Sequence, residues 1–239
     1  MLVISWSGGK DSYLAYHLMR EKGFEISYSI HMITEDVPNY HGPEDLLMAQ
    51  QTQCLDMKSF IVKTTWSDYE KDFKKILLIL KRRGVEGVVF GDIFLKDHIE
   101  WGRRLASEIG LKAFHPLYEV YQEHGDENKL IELFLRIGVR AMVVRTLDKE
   151  PLTSLLGRYV DKDLFDILSI NNMDPFGEYG EYHSIVLSAP YMKCEIDVLK
   201  GSVEKMTTYF NNKIISHMIY RIEEYKITDK HEKMLSKSF

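Results

Sequence analysis

The chain has 239 residues, of which 45% are hydrophobic and 28% are charged. These proportions are close to those of an average globular protein and exclude an intrinsically disordered chain. The net charge of −5 also differs from the strongly basic balance of most nucleic-acid-binding domains, so we expect no nucleic-acid partner. At roughly 100–200 residues per domain, the length predicts one large domain, or one domain with a smaller companion.

The cysteines and the N-terminus indicate the cellular compartment. Cys54 and Cys194 form no Cys-x-x-Cys motif, so neither a zinc ribbon nor a paired-thiol redox centre is expected. A reducing compartment fits this composition. The first residues lack the basic and apolar regions of a signal peptide, and no apolar run approaches the roughly 20 residues needed to span a bilayer. We therefore expect a cytoplasmic protein without membrane contact. The sequence leaves open whether it forms a homo-oligomer.

The first half of the chain alternates short apolar runs with helical patterns. Strands are predicted at residues 2–5, 26–33, 59–65, 85–90 and 112–117. Helices are predicted from Lys10 until Gly23 ends the pattern, and over residues 46–57, 69–83 and 97–109, with Asp97 and Glu100 spaced as a capping box. Residues 35–44 contain two prolines, a glycine and an asparagine, which predicts a loop. Strands that alternate with helices of this length predict βαβ units and a parallel sheet covered by helices on both faces.

The rhythm changes after about residue 118. Helical pieces at residues 128–137 and 164–168 are mixed with strand-like or apolar runs at residues 141–146, 185–187, 203–210 and 214–225. This mixture predicts a second, smaller α+β domain. We therefore divide the chain into an α/β domain over residues 1–118 and a smaller domain over residues 119–239.

The strongest local signal is Ser7-Gly8-Gly9-Lys10-Asp11-Ser12, between the first predicted strand and the first helix. Glycines let the backbone come close to a ligand, and the N–H groups of a first helical turn favour a phosphate. Lys10 adds a positive charge, Ser7 and Ser12 add hydroxyl donors, and Asp11 is placed to hold a Mg²⁺ ion that bridges phosphates. An ordinary turn with a serine cap is the alternative, but the complete string favours a phosphate site.

This string differs from the GxxxxGK[ST] P-loop and matches the PP-loop of the N-type ATP pyrophosphatases. The resemblance implies cleavage of ATP between its α and β phosphates, with the loop holding the pyrophosphate. It also implies an adenine-nucleotide hydrolase-like fold for residues 1–118. Nucleotide contacts would then come from Trp6, which precedes the loop, and from the backbone of His31 and Met32 on the second strand.

Two further strings narrow the resemblance. Val89-Phe90-Gly91-Asp92-Ile93 is followed by His98 and Trp101, and Glu178-Tyr179-Gly180-Glu181-Tyr182-His183-Ser184 precedes Ala189-Pro190. With His41-Gly42 and Gln50-Gln51, these segments resemble the diphthine–ammonia ligase family over about residues 1–192. The Glu-x-Gly-Glu-Tyr segment is the most specific mark. Three departures are Phe176, Tyr118 and Ser184, which stand where family members carry cysteine, tryptophan and threonine.

The resemblance implies a reaction and the residues that perform it. ATP, with Mg²⁺, would adenylate the carboxylate of diphthine, a modified histidine of elongation factor 2, and ammonia would then displace AMP to give diphthamide. Gly91 would lie beside the nucleotide, and Lys10, Asp11 and Asp92 would act in catalysis. Asp92 would bind Mg²⁺ or the substrate amine, unless it caps a helix.

The second string would handle ammonia. Glu178 and Glu181 would position ammonium and take its proton, unless they form a solvated acidic turn. His183 would orient the substrate. Substrate contacts are implied for six residues, of which His98 and Trp101 are equally compatible with packing: His41, Gly42, His98, Trp101, Tyr182 and Ser184.

Three other functions stay open at this point. A related ligase could act on a small-molecule carboxylate, for example in cobalamin-related metabolism of a bacterium. A nucleotide-binding regulatory module could keep the glycine turn without needing Glu178 and Glu181. A tRNA-modifying PP-loop enzyme is disfavoured, because those that thiolate commonly use paired cysteines, and neither a Cys-x-x-Cys motif nor a basic RNA-binding domain is present.

Overall fold

The computed structural model describes residues 1–35, 45–210 and 213–230. They form two compact units, which we call unit 1 (within residues 1–39 and 56–132) and unit 2 (within residues 40–55 and 133–239). No described helix is long and apolar enough to cross a membrane. Within the described ranges, the α-helices are α1 (Lys10–Glu21), α2 (Asp45–Cys54), α3 (Tyr69–Arg82), α4 (Lys96–Ile109), α5 (Pro116–His124), α6 (Asn128–Ile137) and α7 (Lys162–Ile170).

Unit 1 is built on a parallel sheet. Its strands are β1 (Leu2–Ser5), β2 (Ile26–Thr34), β3 (Lys58–Thr64), β4 (Gly87–Val89) and β5 (Lys112–Phe114). They lie in the order β3-β2-β1-β4-β5. The inner strands β1 and β4 are almost wholly buried, which explains why they are uninterrupted apolar runs rather than alternating ones. The predicted parallel α/β sheet is confirmed.

The order of the strands reverses between β1 and β4, which pair side by side with Ile4 opposite Val89. Ligands of open α/β sheets bind at such a switch point, outside the carboxyl ends of the strands. The loops that follow β1 and β4 therefore meet at the edge where a ligand is expected. These two loops carry the Ser7–Ser12 string and Gly91-Asp92.

Helix α3 shows how the helices of unit 1 are held on the sheet. Phe73, Leu77 and Leu80 recur at helical spacing and are completely buried. They share one apolar cluster with Val3 of β1 and Val88 of β4. Burying a large apolar side chain stabilises the fold by about 1.5–3 kcal/mol, so this face anchors α3 firmly on the inner strands.

Two local predictions are wrong. Strand β5 ends at Phe114, and α5 begins at Pro116, because proline suits a first helical position and cannot donate to a strand ladder. The predicted capping box does not form. Helix α4 begins at Lys96 with Leu95 as the N-cap and no side-chain capping bond, so Asp97 lies inside the first turn.

Unit 2 contains an antiparallel sheet. Its strands are β6 (Arg140–Leu147), β7 (Tyr182–Ser188), β8 (Cys194–Phe210) and β9 (Lys213–Asp229). They lie in the order β7-β6-β9-β8. Strands β8 and β9 form a hairpin with 17 residues in each strand. Helix α7 and a 3₁₀ turn at Leu152–Leu155 follow β6 in the chain, which confirms the predicted α+β composition.

Helix α2 belongs to unit 2, which the sequence patterns did not indicate. Gln51 donates from Nε2 to the carbonyl oxygen of Val186 on β7 at 2.6 Å. Cys54 at the end of α2 forms a disulfide with Cys194 at the start of β8, a pairing that the cysteine spacing did not predict. These bonds hold α2 in unit 2, although its neighbours in the chain, β2 and β3, belong to unit 1. The predicted division at residue 118 stays a prediction.

Candidate active site

The glycine turn after β1 leaves the first turn of α1 open. Gly8 has φ of +77°, a left-handed conformation that glycine adopts without strain. Helix α1 begins at Lys10, and its N-cap Gly9 has no side chain that could cap the helix. The N–H groups of a first turn lack intrahelical partners, so this end of α1 suits an anion.

The two serines of the turn bind the turn itself. Ser7 accepts a hydrogen bond from the N–H of Gly9 at 3.3 Å and donates to the hydroxyl of Ser12 at 3.2 Å. Ser12 donates in turn to the carbonyl oxygen of Gly9 at 3.0 Å. These bonds shape the loop, so their expected role as phosphate donors would require the hydroxyls to change partners.

Lys10 and Asp11 form an ion pair beside the turn. Nζ of Lys10 lies 3.0 Å from Oδ2 of Asp11, and the lysine side chain is 2% exposed. A buried ammonium needs a compensating negative charge, which Asp11 supplies in this structure. A phosphate at the first turn of α1 would give Lys10 a second negatively charged partner. The Asp11 carboxylate would then lie next to any cation bound to that phosphate.

Gly91 brings the loop after β4 against α1. A Cβ atom at this position would lie 3.1 Å from the carbonyl carbon of Asp11 and 3.1 Å from the nitrogen of Ser12. These distances are tighter than nine in ten real Cβ contacts. Glycine therefore lets the loop after β4 approach the first turn of α1 this closely.

Asp92 follows Gly91 and lies between two histidines. Its Oδ1 is 3.3 Å from Nδ1 of His98, which is 61% exposed, and its Oδ2 is 3.7 Å from Nδ1 of His115, which is buried. Burial would raise the pKa of Asp92, but the imidazoles of His115 and His98 outweigh it and lower that pKa to about 2. The carboxylate is therefore ionised at neutral pH. Sequence reasoning missed His115, whose only signal was its place directly before Pro116-Leu117.

Trp101 lies three residues after His98 on α4 and packs inside unit 1. Its Nε1 donates to Glu70 on α3 at 2.9 Å, and its ring meets Phe90 edge-on with centroids 6.0 Å apart. Glu70 also accepts from Arg104 at 2.6 Å, and this bond, followed by that from Lys74, holds the pKa of Glu70 far below its usual range. Trp101 thus joins α4 to α3, while its predicted substrate contact stays a prediction.

The residues predicted to approach the nucleotide are mostly buried. Trp6 is 3% exposed and meets the ring of Tyr16 edge-on. Burial lowers the pKa of His31 to about 4, so this imidazole is neutral at pH 7. Met32 packs partly buried against the core of unit 1. Contacts of His31 and Met32 with a nucleotide would therefore use the backbone, and all three contacts stay predictions.

Glu178 and Glu181 lie in the loop before β7, not on a helix. Asp174 organises this loop, because its carboxylate accepts hydrogen bonds from the N–H groups of Phe176 and Glu178. Oε2 of Glu181 is buried and has no hydrogen-bond partner among the described residues. Burial, followed by the charge of Asp174, raises the pKa of Glu181. A buried carboxylate oxygen without a donor suits a small hydrogen-bonding cation.

The residues that follow this loop are placed by β7. Tyr182 is buried, and its hydroxyl donates to the carbonyl oxygen of Pro175 at 2.6 Å, so its side chain braces the loop. His183 lies opposite Arg145 of β6, and Ser184 lies opposite Val143. Opposed residues of an antiparallel pair share one face of the sheet, so His183 has an arginine as its neighbour.

Arg145 belongs to a polar group that sequence reasoning missed. Its Nη2 lies 3.0 Å from Nε2 of His217 on β9, which is also 3.3 Å from the hydroxyl of Thr208. Burial lowers the pKa of Arg145 to about 10. Burial and the charge of Arg145 lower the pKa of His217 to about 4, so His217 is neutral at pH 7. These residues stand in strand-like segments without any motif, so the sequence offered no signal for them.

The remaining predicted residues concern a substrate contact and a metal. His41 and Gly42 lie outside the described residues. Within the described part of the chain, no group of three or more His, Cys, Asp and Glu side chains is arranged to hold a metal ion. Mg²⁺ is usually bound through one or two carboxylates together with substrate phosphates. Asp11, in the first turn of α1, fits that requirement.

A parallel five-stranded sheet with a Ser-Gly-Gly-Lys-Asp-Ser turn at its switch point defines an α/β protein of the PP-loop class. Two family models match the chain: "Diphthamide synthase N-terminal domain" over residues 1–113 and "Diphthamide synthase C-terminal domain" over residues 126–226. The chain belongs to the diphthamide synthase family.

Comparisons with curated proteins and with solved structures say less about this chain than the family models do. No curated protein matches the chain. One similar solved structure is described as "predicted subunit of tRNA methyltransferase" from Methanocaldococcus jannaschii. It is 14% identical, and the match covers 79% of this chain and 98% of that one with a TM-score of 0.41.

Proposed function

We propose that this protein is an ATP-dependent carboxylate–ammonia ligase. It adenylates a carboxylate, joins it to ammonia and releases AMP and pyrophosphate, with diphthine on elongation factor 2 as the acceptor. The observation that carries the proposal is the Ser7–Ser12 turn at the switch point of the unit 1 sheet, in a chain of the diphthamide synthase family.

Unit 1 is assigned the adenylation step. An acceptor carboxylate oxygen attacks the α-phosphorus of ATP, and the bond to the β-phosphate breaks to release pyrophosphate. The charge that develops on the leaving phosphates is met by Lys10 and by the N–H groups of the first turn of α1, which are fixed before the reaction starts. Asp11 would hold Mg²⁺, which would supply further charge neutralisation.

Unit 2 is assigned the ammonia. Glu181 binds ammonium through its desolvated carboxylate and takes one proton, which leaves ammonia as the nucleophile. The nitrogen then attacks the acyl carbon, AMP leaves with its bonding electrons, and the new amide nitrogen releases its extra proton to solvent. The raised pKa of Glu181 supports this role, because a carboxylate that holds a proton more strongly is a better base. Glu178 is assigned to orient the ammonium within the same loop.

The test is the formation of AMP and pyrophosphate from ATP in the presence of Mg²⁺, ammonium and a candidate acceptor. Lys10→Ala and Asp11→Ala should abolish AMP formation. Lys22→Ala is the matched control, since Lys22 follows the far end of α1 and pairs with Glu119. Its AMP formation should equal that of the wild type. If the wild type forms no AMP with any acceptor, including elongation factor 2 that carries diphthine, the ligase proposal is wrong.

A second variant separates the two steps. Glu181→Gln should bind ATP as the wild type does but lose the amide product, whereas the exposed Glu204→Gln in the same unit should retain it. Unchanged amide formation by Glu181→Gln would refute the assignment of unit 2. Running the assay with small carboxylic acids in place of elongation factor 2 identifies the acceptor. A product formed only with the small acids would show that the acceptor is a small molecule and not diphthine.

A further inference from the structure

His115 lies at a junction where three elements fix its ring. The residue is the N-cap of α5, directly after β5, and is 3% exposed. Its ring stacks on Phe90 with the centroids 5.0 Å apart and the planes 13° from parallel. Phe90 stands two residues before Asp92, so the same short segment carries the stacking surface and the carboxylate.

Helix α4 leaves space for this ring at Gly102. A Cβ atom on Gly102 would lie 2.9 Å from Cε1 and 3.1 Å from Nε2 of His115. The ring is thus enclosed by Phe90 and by α4, and it has little freedom to turn. A histidine held only as apolar filling would not need to keep two buried polar nitrogens, so the position calls for a polar explanation.

Neither ring nitrogen of His115 has a hydrogen-bond partner among the described residues. A buried polar atom without a partner is costly. The carboxylate of Asp92 is at hand, since its Oδ2 lies 3.7 Å from Nδ1 of His115. Hydrogen bonds in catalytic sites are often long before the substrate binds and shorten in the complex.

The two oxygens of Asp92 have different surroundings. Oδ2 faces the buried His115, and Oδ1 lies 3.3 Å from the exposed His98. Oδ1 thus lies beside an exposed side chain, whereas Oδ2 lies beside a buried one.

We propose that His115 is a positioning residue for Asp92: a proton on Nδ1 binds Oδ2 and thereby holds Oδ1 toward a cationic ligand at the switch point. The proposal rests on the proposed ligase function, in which Asp92 binds Mg²⁺ or an amine. His115 itself touches neither substrate nor nucleotide.

The first test compares substitutions that differ in where they place an N–H group. His115→Asn puts an amide nitrogen where Nδ1 stands, and His115→Gln puts one nearer Nε2. Loss of a residue that orients a ligating group costs about 10- to 100-fold in activity, so His115→Gln should lose that amount in kcat with little change in the KM for ATP, while His115→Asn should retain most activity. His124→Asn, an exposed histidine of the same helix, is the control. Equal activity of the Asn and Gln variants, or a loss confined to KM, would overturn the proposal.

A second measurement is independent of catalysis. In ¹⁵N-histidine-labelled protein, NMR should show a proton on Nδ1 of His115, and Asp92→Ala should shift that nitrogen signal while leaving the melting temperature within a few degrees. A tautomer protonated only on Nε2, or a signal that ignores Asp92→Ala, would refute the proposal. Because this readout needs no turnover, it separates a failure of the positioning role from a failure of the ligase function, which the wild-type assay reports.

Discussion

Replacing Gly91 by alanine tests the close approach of the loop after β4 to the first turn of α1. The added Cβ would meet backbone atoms of Asp11 and Ser12 at 3.1 Å, while ordinary contact begins at 3.4 Å. Because backbone atoms of a helix cannot rotate away, the loop after β4 must move by at least about 0.3 Å. If activity falls exponentially with displacement, and a 1 Å shift costs about 100-fold, a shift of about 0.3–0.5 Å lowers kcat/KM for ATP about 4- to 10-fold.

The assay is steady-state AMP formation as a function of ATP concentration, together with the melting temperature. Gly87→Ala is the matched control at the amino end of β4, where a Cβ would lie 2.8 Å from the carbonyl oxygen of Lys112. This variant should lower the melting temperature at least as much as Gly91→Ala but keep kcat/KM. The reasoning fails if Gly91→Ala keeps the wild-type kcat/KM, or if both variants lose it equally.

Three more predictions concern stability and the loop before β7 that carries Glu178 and Glu181. Reduction of the Cys54–Cys194 disulfide opens a loop of 140 residues and should lower the free energy of unfolding by up to about 5 kcal/mol. A urea unfolding midpoint that does not change when reductant is added would contradict this. The folded state holds the pKa of His31 near 4, below its unfolded value of about 6.5, so unfolding binds protons and stability should fall by up to roughly 3 kcal/mol as pH drops from 6.5 to 4. His31→Gln should flatten that fall, and identical pH dependences would refute the reasoning. Gly177 has φ of +73°, and a Cβ there would lie 2.8 Å from a backbone carbonyl oxygen, so Gly177→Ala should lower both the melting temperature and amide formation. Gly180→Ala should lower them less, because Gly180 has φ of +87° but open space around a Cβ. Equal effects of the two substitutions would refute the steric argument.

Local patterns predicted the elements of unit 1 because its strands β1 and β4 are almost wholly buried and its helices are amphipathic. Val3 and Val88 stand in apolar runs that only a covered parallel sheet accommodates, and Phe73 and Leu77 repeat at helical spacing. The glycine turn was also recognised from the sequence, because its six residues are consecutive. Its shape was also set locally, by hydrogen bonds among the turn residues themselves.

Features that depend on distant residues were missed. Nothing near Cys54 indicates Cys194, and nothing near Arg145 indicates His217, because these partners meet only after the sheet of unit 2 has formed. His115 was missed because its significance lies in a distance to Asp92 across two elements. A resemblance to a family supplied Glu181, but only the structure shows that one of its oxygens is buried without a hydrogen-bond partner among the described residues.

The assignment of α2 to unit 2 has a consequence for synthesis of the protein. Cys54 leaves the ribosome 140 residues before Cys194, which corresponds to about 7–28 s at about 5–20 residues per second. Until Val186 emerges, α2 has neither that carbonyl nor its disulfide partner, whereas unit 1 is complete as soon as residue 132 has been made. Unit 2 thus has to recruit a helix made much earlier, and a C-terminal fragment that begins after α2 would lack one of its own parts.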